Sequence, residues 1–431
     1  MTIGIDISPL QGPHRMRGIG FTLINYINSL PDNEKKNNHY VFFTDPDNNV
    51  LFKNPLELIN YGDLDYEIRN LRPIKSLTVR LPWKFDILIN ASNSLLRLKN
   101  YYTGDSRLTS LKDIDVFMQF DQSQPLPKAR HLKKILILYD IIPYVLEWDY
   151  LVSYKTARNT GHTFKGSVRR QLQRYLYIKK LRISVKKASS LVAISEVTKR
   201  DFVKYTKADA GKISVIPLGV TMPSDTGEVN DKKLSLKCYL KSSWGYIKRP
   251  LKLDKPYLLF VGGTDPRRKL EDLIASFNLI RARGHEIKLV LVGDVMLGPD
   301  AITNLIFQKA LLDSSYLDDI IFMGFVDDQT RNWLYKNASA FVFTSRYEGF
   351  GLPILEAMSY GTPVVTYRNY ATAEIAGDAV IYVSDFVQMS DRLINLLKDP
   401  HKKLLLSAKA IRQAKKYTWS QTANAICQTY L

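Results

Sequence analysis

Cysteine is nearly missing from this chain, which has two in 431 residues, Cys238 and Cys427. They stand in no metal-ligand spacing, so the sequence argues against a zinc module and against a disulfide scaffold, and it fits a reducing cytoplasm. Long apolar runs are missing as well. Stretches such as 134–142 and 257–261 fall far short of the ~18–20 residues that cross a bilayer. The opening residues, Met1-Thr-Ile-Gly-Ile-Asp-Ile, lack the basic start of a signal peptide and read as a strand. A third absence is local: no acidic residue stands between Asp149 and Glu196.

What is present is ordinary globular material with an unusual charge. Hydrophobic residues make up 45% and charged residues 24%, which excludes wholesale disorder. At 431 residues the chain outgrows one ordinary core, so two domains are expected. The formal charge of +19 favours an anionic partner without choosing among nucleic acid, an acidic membrane surface and a phosphorylated substrate. The acid-free interval concentrates the excess in eleven cations from Lys155 to Lys187, among them Arg169, Arg170, Arg174, Lys179 and Arg182. Val168, Leu172, Tyr175, Leu176 and Ile183 fall near helical spacing there, so an amphipathic helix with a basic outer face is expected. That face is either a solvated surface or a docking surface for an anionic membrane.

Apolar runs and helix-period segments alternate along the chain. Strands are expected at 3–7, 40–43, 87–90, 116–120, 134–139, 191–193 and 214–216, with helices at 21–30, 168–183 and 196–205. The alternation fails over 221–254, which is polar and Lys-rich and reads as a linker or insertion. It resumes with strands at 257–261, 287–292, 320–323, 340–344 and 364–366 and helices between them. A final helix covers 419–430. Strands alternating with helices indicate an α/β fold with a parallel sheet in each half. The expected division is 1–220, a linker at 221–254, 255–415, and a tail at 416–431.

In open α/β sheets ligands bind beyond the carboxyl ends of the strands, and three loops at such ends stand out. Arg15-Met-Arg-Gly-Ile-Gly20 offers close backbone approach at Gly18 and Gly20. It lacks the third glycine of a dinucleotide fingerprint, since Leu23 stands there, and a structural tight turn explains it equally well. Gly262-Gly-Thr-Asp-Pro-Arg-Arg-Lys269 brings two glycines and three consecutive cations to a helix start, which suits a diphosphate. Glu348-Gly-Phe-Gly-Leu-Pro-Ile-Leu-Glu356 sets two carboxylates beside a helix N-terminus. Carboxylates accept from sugar hydroxyls while helix amides hold phosphate oxygens.

The segment from Glu348 to Glu356 resembles the E-x7-E motif of retaining GT-B glycosyltransferases, most closely the GT4 family (glycosyl transferases group 1), including its bacterial polysaccharide mannosyltransferases. Arg17-Gly-Ile-Gly20, Tyr139-Asp-Ile-Ile-Pro143, Ala193-Ile-Ser-Glu196, Ile216-Pro-Leu-Gly219, Gly324-Phe-Val326 and Trp419 agree in order. The resemblance implies two Rossmann-like domains with parallel sheets facing across a cleft, donor binding in the second, and a final helix crossing back to the first. It implies that Glu348, with the backbone of Gly349, Phe350, Gly351 and Leu352, contacts the transferred sugar. Glu356 would hold the ribose hydroxyls, and Arg268 and Lys269 the diphosphate. Gly324, Phe325 and Val326 would border the nucleobase, and Gly18, Gly20 and Gly263 the donor phosphates.

Two departures bear on mechanism. Tyr139, beside Asp140 on the expected sugar or acceptor side, stands where many relatives carry a histidine. Gly263 stands where some carry an arginine. The implied reaction moves a sugar from a nucleotide-sugar, GDP-mannose first and a UDP-sugar next, to a glycan or lipid-linked acceptor. No metal and no other cofactor is expected; Asp318-Asp319 and Asp327-Asp328 read as surface carboxylates. The expected place is the cytoplasm, peripheral at the inner face of the cell membrane. Competing readings are a sugar-nucleotide epimerase or phosphorylase of the same fold, which six histidines serve poorly, and a basic nucleic-acid-binding protein. The latter lacks any recognisable nucleic-acid-binding module, so no nucleic-acid partner is expected.

Overall fold

A computed structural model describes residues 1–12, 18–45, 57, 59–60, 62–70, 111–146, 164–223, 237–242, 245–250, 253, 255–293 and 304–431, with only the backbone of 164–170 and of the two strands within 237–250. The chain forms two compact units, Met1–Gly219 with Trp419–Leu431, and Val220–Thr418.

In the first unit the described strands build a seven-stranded sheet. In chain order they are β1 (Thr2–Asp6), β2 (His39–Thr44), β3 (Tyr66–Asn70), β4 (Val116–Gln119), β5 (Lys133–Leu138), β6 (Ser190–Ala193) and β7 (Ile213–Val215). Every pairing is parallel, in the order β3-β2-β1-β4-β5-β6-β7. The central strands are apolar runs because helices cover both faces: Ile3, Ile5, Phe117, Ile135 and Leu136 have no more than traces of surface. Each such side chain stabilises the fold by ~1.5–3 kcal/mol through burial.

Helix α1 (Gly18–Asn28) begins three residues before the expected apolar segment, so Gly18 and Gly20 lie in its first turn, with the Thr22 hydroxyl donating to the Gly18 carbonyl. Arg15 to Arg17 and the strand expected at 87–90 lie outside the described residues. After the short helix α2 (Asp32–Asn37), helix α3 (Phe164–Lys187) carries the basic run; residues 155–163 lie outside the description. Its buried stripe is Leu176, Ile178, Leu181 and Val185. Leu172 and Tyr175, expected inside, are 47% and 51% exposed, because the stripe that meets the sheet is rotated away from them. Several of its cations are engaged locally, Lys179 with the Tyr175 hydroxyl among them. Arg174 lies 3.8 Å over the Tyr144 ring, and Arg182 donates to the Tyr205 carbonyl at 3.0 Å. Helix α4 (Glu196–Thr206) starts at a Ser195 cap.

The second unit has an eight-stranded sheet among the described residues, ordered β15-β14-β13-β10-β11-β12-β8-β9. Its parallel core is β10 (Tyr257–Val261), β11 (Lys288–Val292), β12 (Ile320–Gly324), β13 (Ala340–Phe343), β14 (Val364–Tyr367) and β15 (Ile381–Val383). The segment 221–254, read as a linker or insertion, contains regular structure. Within it β8 (Lys237–Ser242) and β9 (Gly245–Pro250) form an antiparallel hairpin, and β8 adds to β12 at the sheet edge. Backbone pairing at an edge needs no apolar period, so a Lys-rich segment supplies it. Helices α5 (Leu270–Ala282), α6 (Leu305–Leu312), α7 (Asp328–Asn337), α8 (Leu352–Ser359), α9 (Tyr370–Ala376), α10 (Phe386–Lys398) and α11 (Pro400–Ala414) cover the sheet.

The chain then returns to the first unit as α12 (Trp419–Cys427). Trp419 meets Phe21 of α1 edge-on at 5.8 Å between ring centroids. The Tyr430 hydroxyl donates to the buried Glu34 carboxylate at 2.9 Å.

Candidate functional site

At the carboxyl ends of β10, β11 and β12 three glycines lie in a row. The Gly262 amide donates to the Val292 carbonyl at 2.8 Å, and the Gly293 amide to the Gly324 carbonyl at 2.8 Å. Gly293 has φ +115°, and a Cβ there would lie 2.4 Å from the Gly262 oxygen. A Cβ on Gly262 would lie 1.8 Å from Arg268 Nη1. The glycines therefore let neighbouring turns approach each other and seat the Arg268 guanidinium against backbone. Gly262, the residue before the expected Gly263, makes that room.

After Gly263 the chain turns through a short helical turn, Pro266–Arg268, capped by Asp265. Lys269 follows in the left-handed region at φ 47°, a conformation that costs a non-glycine residue about 1–2 kcal/mol and that clusters at functional sites. The three cations then part. Arg267 donates to the Glu348 carboxylate and, at 3.3 Å each, to the Ser345 hydroxyl and the Tyr347 carbonyl. Both ends of the Arg267–Glu348 pair keep only 11% of their side-chain surface. Arg268 Nε lies 4.0 Å from the same carboxylate. The Lys269 ammonium turns to Glu271 at 3.0 Å.

Glu348 stands in the loop after β13, which ends five residues earlier at Phe343. That loop is tied to the cation turn by the Arg346 amide, donating to the Arg267 carbonyl at 2.9 Å, and by the Thr344 hydroxyl, donating to the Arg268 carbonyl. Gly351 closes the loop at φ +114° and caps α8, with Pro353 in its first turn. Only glycine adopts that angle without strain, and a Cβ would press on Ile375 at 3.1 Å. Phe350 is buried edge-on against Tyr417, so it anchors the loop through its ring and presents only backbone.

Glu356, on α8, is partly buried, and burial raises its carboxyl pKa against the opposing influence of Arg331. The Tyr335 hydroxyl donates to it at 2.9 Å, and Tyr335 stacks on Tyr360. Beside this group Gly324 turns at φ +63°, Phe325 is 61% exposed and Val326 is half-buried. Of the acidic pairs expected on the surface, Asp327 caps α7, Asp328 pairs with Arg331, and Asp319 pairs with Arg281.

On the first unit the expected residues are placed differently. The Tyr139 ring is buried, which raises its hydroxyl pKa far above the ordinary value. Its amide donates to Gln122 Oε1 at 2.8 Å and its carbonyl accepts from the Thr198 hydroxyl at 2.7 Å. Asp140 is half-buried and accepts from the Ile142 amide. Gly18 is exposed and Gly20 buried.

Sequence reasoning missed Arg267 as the partner of Glu348. It was visible only as one of three consecutive cations. Gly293 was missed because a single glycine after a strand carries no spacing signal. The second unit thus gathers a buried guanidinium–carboxylate pair, a further arginine, a helix N-terminus and a second carboxylate at one edge of its sheet. Such a set stabilises developing negative charge on a phosphate and accepts hydrogen bonds from hydroxyls.

Comparison with known proteins agrees. Residues 246–417, within the second unit, match the family described as glycosyl transferases group 1. O-antigen chain mannosyltransferase B of Escherichia coli is 32% identical over 176 residues, 39% of this chain and 45% of that protein. Serotype-specific mannosyltransferase WbdA of Escherichia coli is 27% identical over 256 residues, 58% of this chain and 29% of that one. The chain therefore spans less than half the length of these curated relatives. Among solved structures, Anabaena Alr3699/HepE in complex with UDP-glucose is similar with a TM-score of 0.59 at 16% identity, covering 100% of this chain and 99% of that one. The fold is that of the GT-B glycosyltransferases.

Proposed function

We propose that this chain is a retaining glycosyltransferase that moves a sugar from a nucleotide-sugar, GDP-mannose first and a UDP-sugar second, to a glycan or lipid-linked acceptor in polysaccharide or glycoconjugate synthesis. The observation that carries the reading is the Arg267–Glu348 pair with Arg268 beside it, Glu348 standing on the loop that leads into α8 and its Glu356. In this reading Glu356 accepts from the ribose hydroxyls, and Glu348 with the Gly349–Leu352 backbone orients the transferred sugar. Arg268, Lys269 and the start of α8 meet the diphosphate. Breaking the sugar–phosphate bond leaves positive charge on the sugar and negative charge on the diphosphate. Losing one preorganised contact to the latter costs about 2.7–4 kcal/mol of transition-state stabilisation. The cations supply that charge without a metal ion, so turnover is expected to withstand chelation.

The exposed Leu172 and Tyr175 on the basic helix α3 support peripheral docking to an anionic membrane, on the cytoplasmic face. No helix among the described residues is long and apolar enough to cross a membrane. Equal binding to anionic and neutral vesicles would count against docking.

The decisive experiment is thermal unfolding with GDP, UDP and a panel of nucleotide sugars, beside Glu356→Ala. A ligand at a hundredfold excess over its dissociation constant stabilises by ~2.7 kcal/mol. A shift selective for one nucleotide and lost in the variant is expected. No shift with any nucleotide overturns the reading.

A further inference from the structure

A second concave site opens at the same edge of the second unit's sheet. A cavity of about 750 Å³ lies where β14 and β15 end and α10 begins, within the ~300–1,000 Å³ of small-molecule pockets. Its chemistry is carried by Asp272, Arg346, Tyr367, Arg368, Tyr382 and Asp385, of which Arg346 also touches the site described above, through its backbone amide. They come from the ends of β13, β14 and β15 and, for Asp272, from the first turn of α5, so the cavity is a product of the fold rather than of one loop.

The polar groups are held in place. The Tyr367 hydroxyl donates to Asp272 Oδ2 at 2.7 Å, which leaves Oδ1 as the oxygen to meet a ligand. Tyr382 is fixed by its hydroxyl, which donates to the Gly377 carbonyl at 2.8 Å, and burial pushes that hydroxyl up to about 12. The Arg368 guanidinium lies 5.2 Å from the centre of the Tyr382 ring. Asp385 caps α10, and the Gln388 amide and Ser384 hydroxyl hold its carboxyl below the ordinary range.

Two arginines and two carboxylates give this lining no formal excess of either sign. A free phosphate would sit among the carboxylates, and an apolar ligand would desolvate four charges without pairing them. A neutral sugar satisfies both demands. Its hydroxyls donate to carboxylates and accept from guanidinium groups, while its C–H face lies on an aromatic ring. We infer that the cavity bounded by Asp272, Arg346, Arg368 and Tyr382 is a binding subsite for a neutral sugar unit of a glycan, separate from the nucleotide site. If the transferase reading holds, this is where a unit of the acceptor glycan rests. The link is direct, since the amide of Arg346 donates to the carbonyl of Arg267.

The test is saturation-transfer NMR on the full chain with mannotriose as probe and with inorganic phosphate as competitor, in the presence and absence of GDP or UDP. Arg368→Ala removes an exposed guanidinium, and Phe386→Ala, at a residue 37% exposed on the cavity rim, is a second variant that spares internal packing. Signal from mannotriose is expected, unchanged by either nucleotide and by phosphate, and weakened about tenfold or more in Arg368→Ala, as loss of a charged hydrogen-bond donor implies. Absence of signal, signal undiminished in both Arg368→Ala and Phe386→Ala, or displacement by phosphate overturns the proposal. So does loss in Glu348→Gln with retention in Arg368→Ala, which would place the sugar against Glu348. Failure of nucleotide binding with mannotriose still bound would sink the transferase reading and leave the subsite standing.

Discussion

Both units end their parallel strands in polar side chains, and they use them in opposite ways. In the first unit strand-end amides bond to a neighbouring carboxylate and to backbone. Gln119 donates to Asp6 at 2.7 Å, and Gln122 bridges the Tyr139 amide and the Asp140 carbonyl. In the second unit the polar groups are charged and cross between loops, as Arg267 does to Glu348 and Tyr367 to Asp272. A parallel sheet supplies the location for a ligand, and the loop residues decide whether that location is sealed or functional.

Substitutions break or sharpen this contrast. Arg267→Ala leaves Glu348 buried without its partner and is expected to lower stability by about 3–5 kcal/mol. The matching change on the first unit, Gln119→Ala, is expected to cost only about 1–3 kcal/mol; equal losses in denaturant unfolding would erase the distinction. Gly262→Ala, at φ +158° with a Cβ 1.8 Å from Arg268 Nη1, forces the guanidinium away and strains the turn; it is expected to reduce donor turnover by ~2.7–4 kcal/mol of transition-state stabilisation, with some loss of stability as well. Turnover assays with the donor named by thermal shift measure this.

Asp201 tests the sealed unit. It is buried on α4, and burial pushes its carboxyl up to about 6. An unfolded aspartate ionises near 3.9, so folding loses stability as pH rises from about 4 to about 6. Asp201→Asn should therefore gain about 1–3 kcal/mol at pH 7.5 and nothing at pH 4, read from urea unfolding at both. The smallest effect is expected at Tyr335→Phe, about 0.5–1.5 kcal/mol in nucleotide affinity. Glu356 must be ionised to accept from ribose, so affinity should fall as pH drops through its raised pKa. Removing the tyrosine donor should move that fall to higher pH, as calorimetric titration across pH would show.

Strands such as β10 and β11 were legible because a sheet covered on both faces demands continuous apolar runs. The β8–β9 hairpin was not, since its contribution is backbone pairing by a polar edge. The site loops were legible for a similar reason: glycines, cations and carboxylates at strand ends form local patterns. Their pairings were not, because Arg267 and Glu348 lie 81 residues apart and nothing in the spacing tells which of three cations turns inward. The cavity at β14 and β15 was invisible, since Asp272 and Arg346 join the runs 367–368 and 382–386 only in the fold.

The return of residues 419–431 to the first unit has a consequence for biosynthesis. Tyr26 and Glu34 meet their partners Cys427 and Tyr430 only after the whole intervening unit has left the ribosome. The first unit is therefore completed only after the second has emerged, while residues 220–418 hold every described strand of the second sheet. A stop at codon 419 would spare the second unit's sheet and leave the first with an open apolar face where Trp419 and Ile426 belong. Quality control would recognise such a product by its first unit, although the lesion lies just past the second.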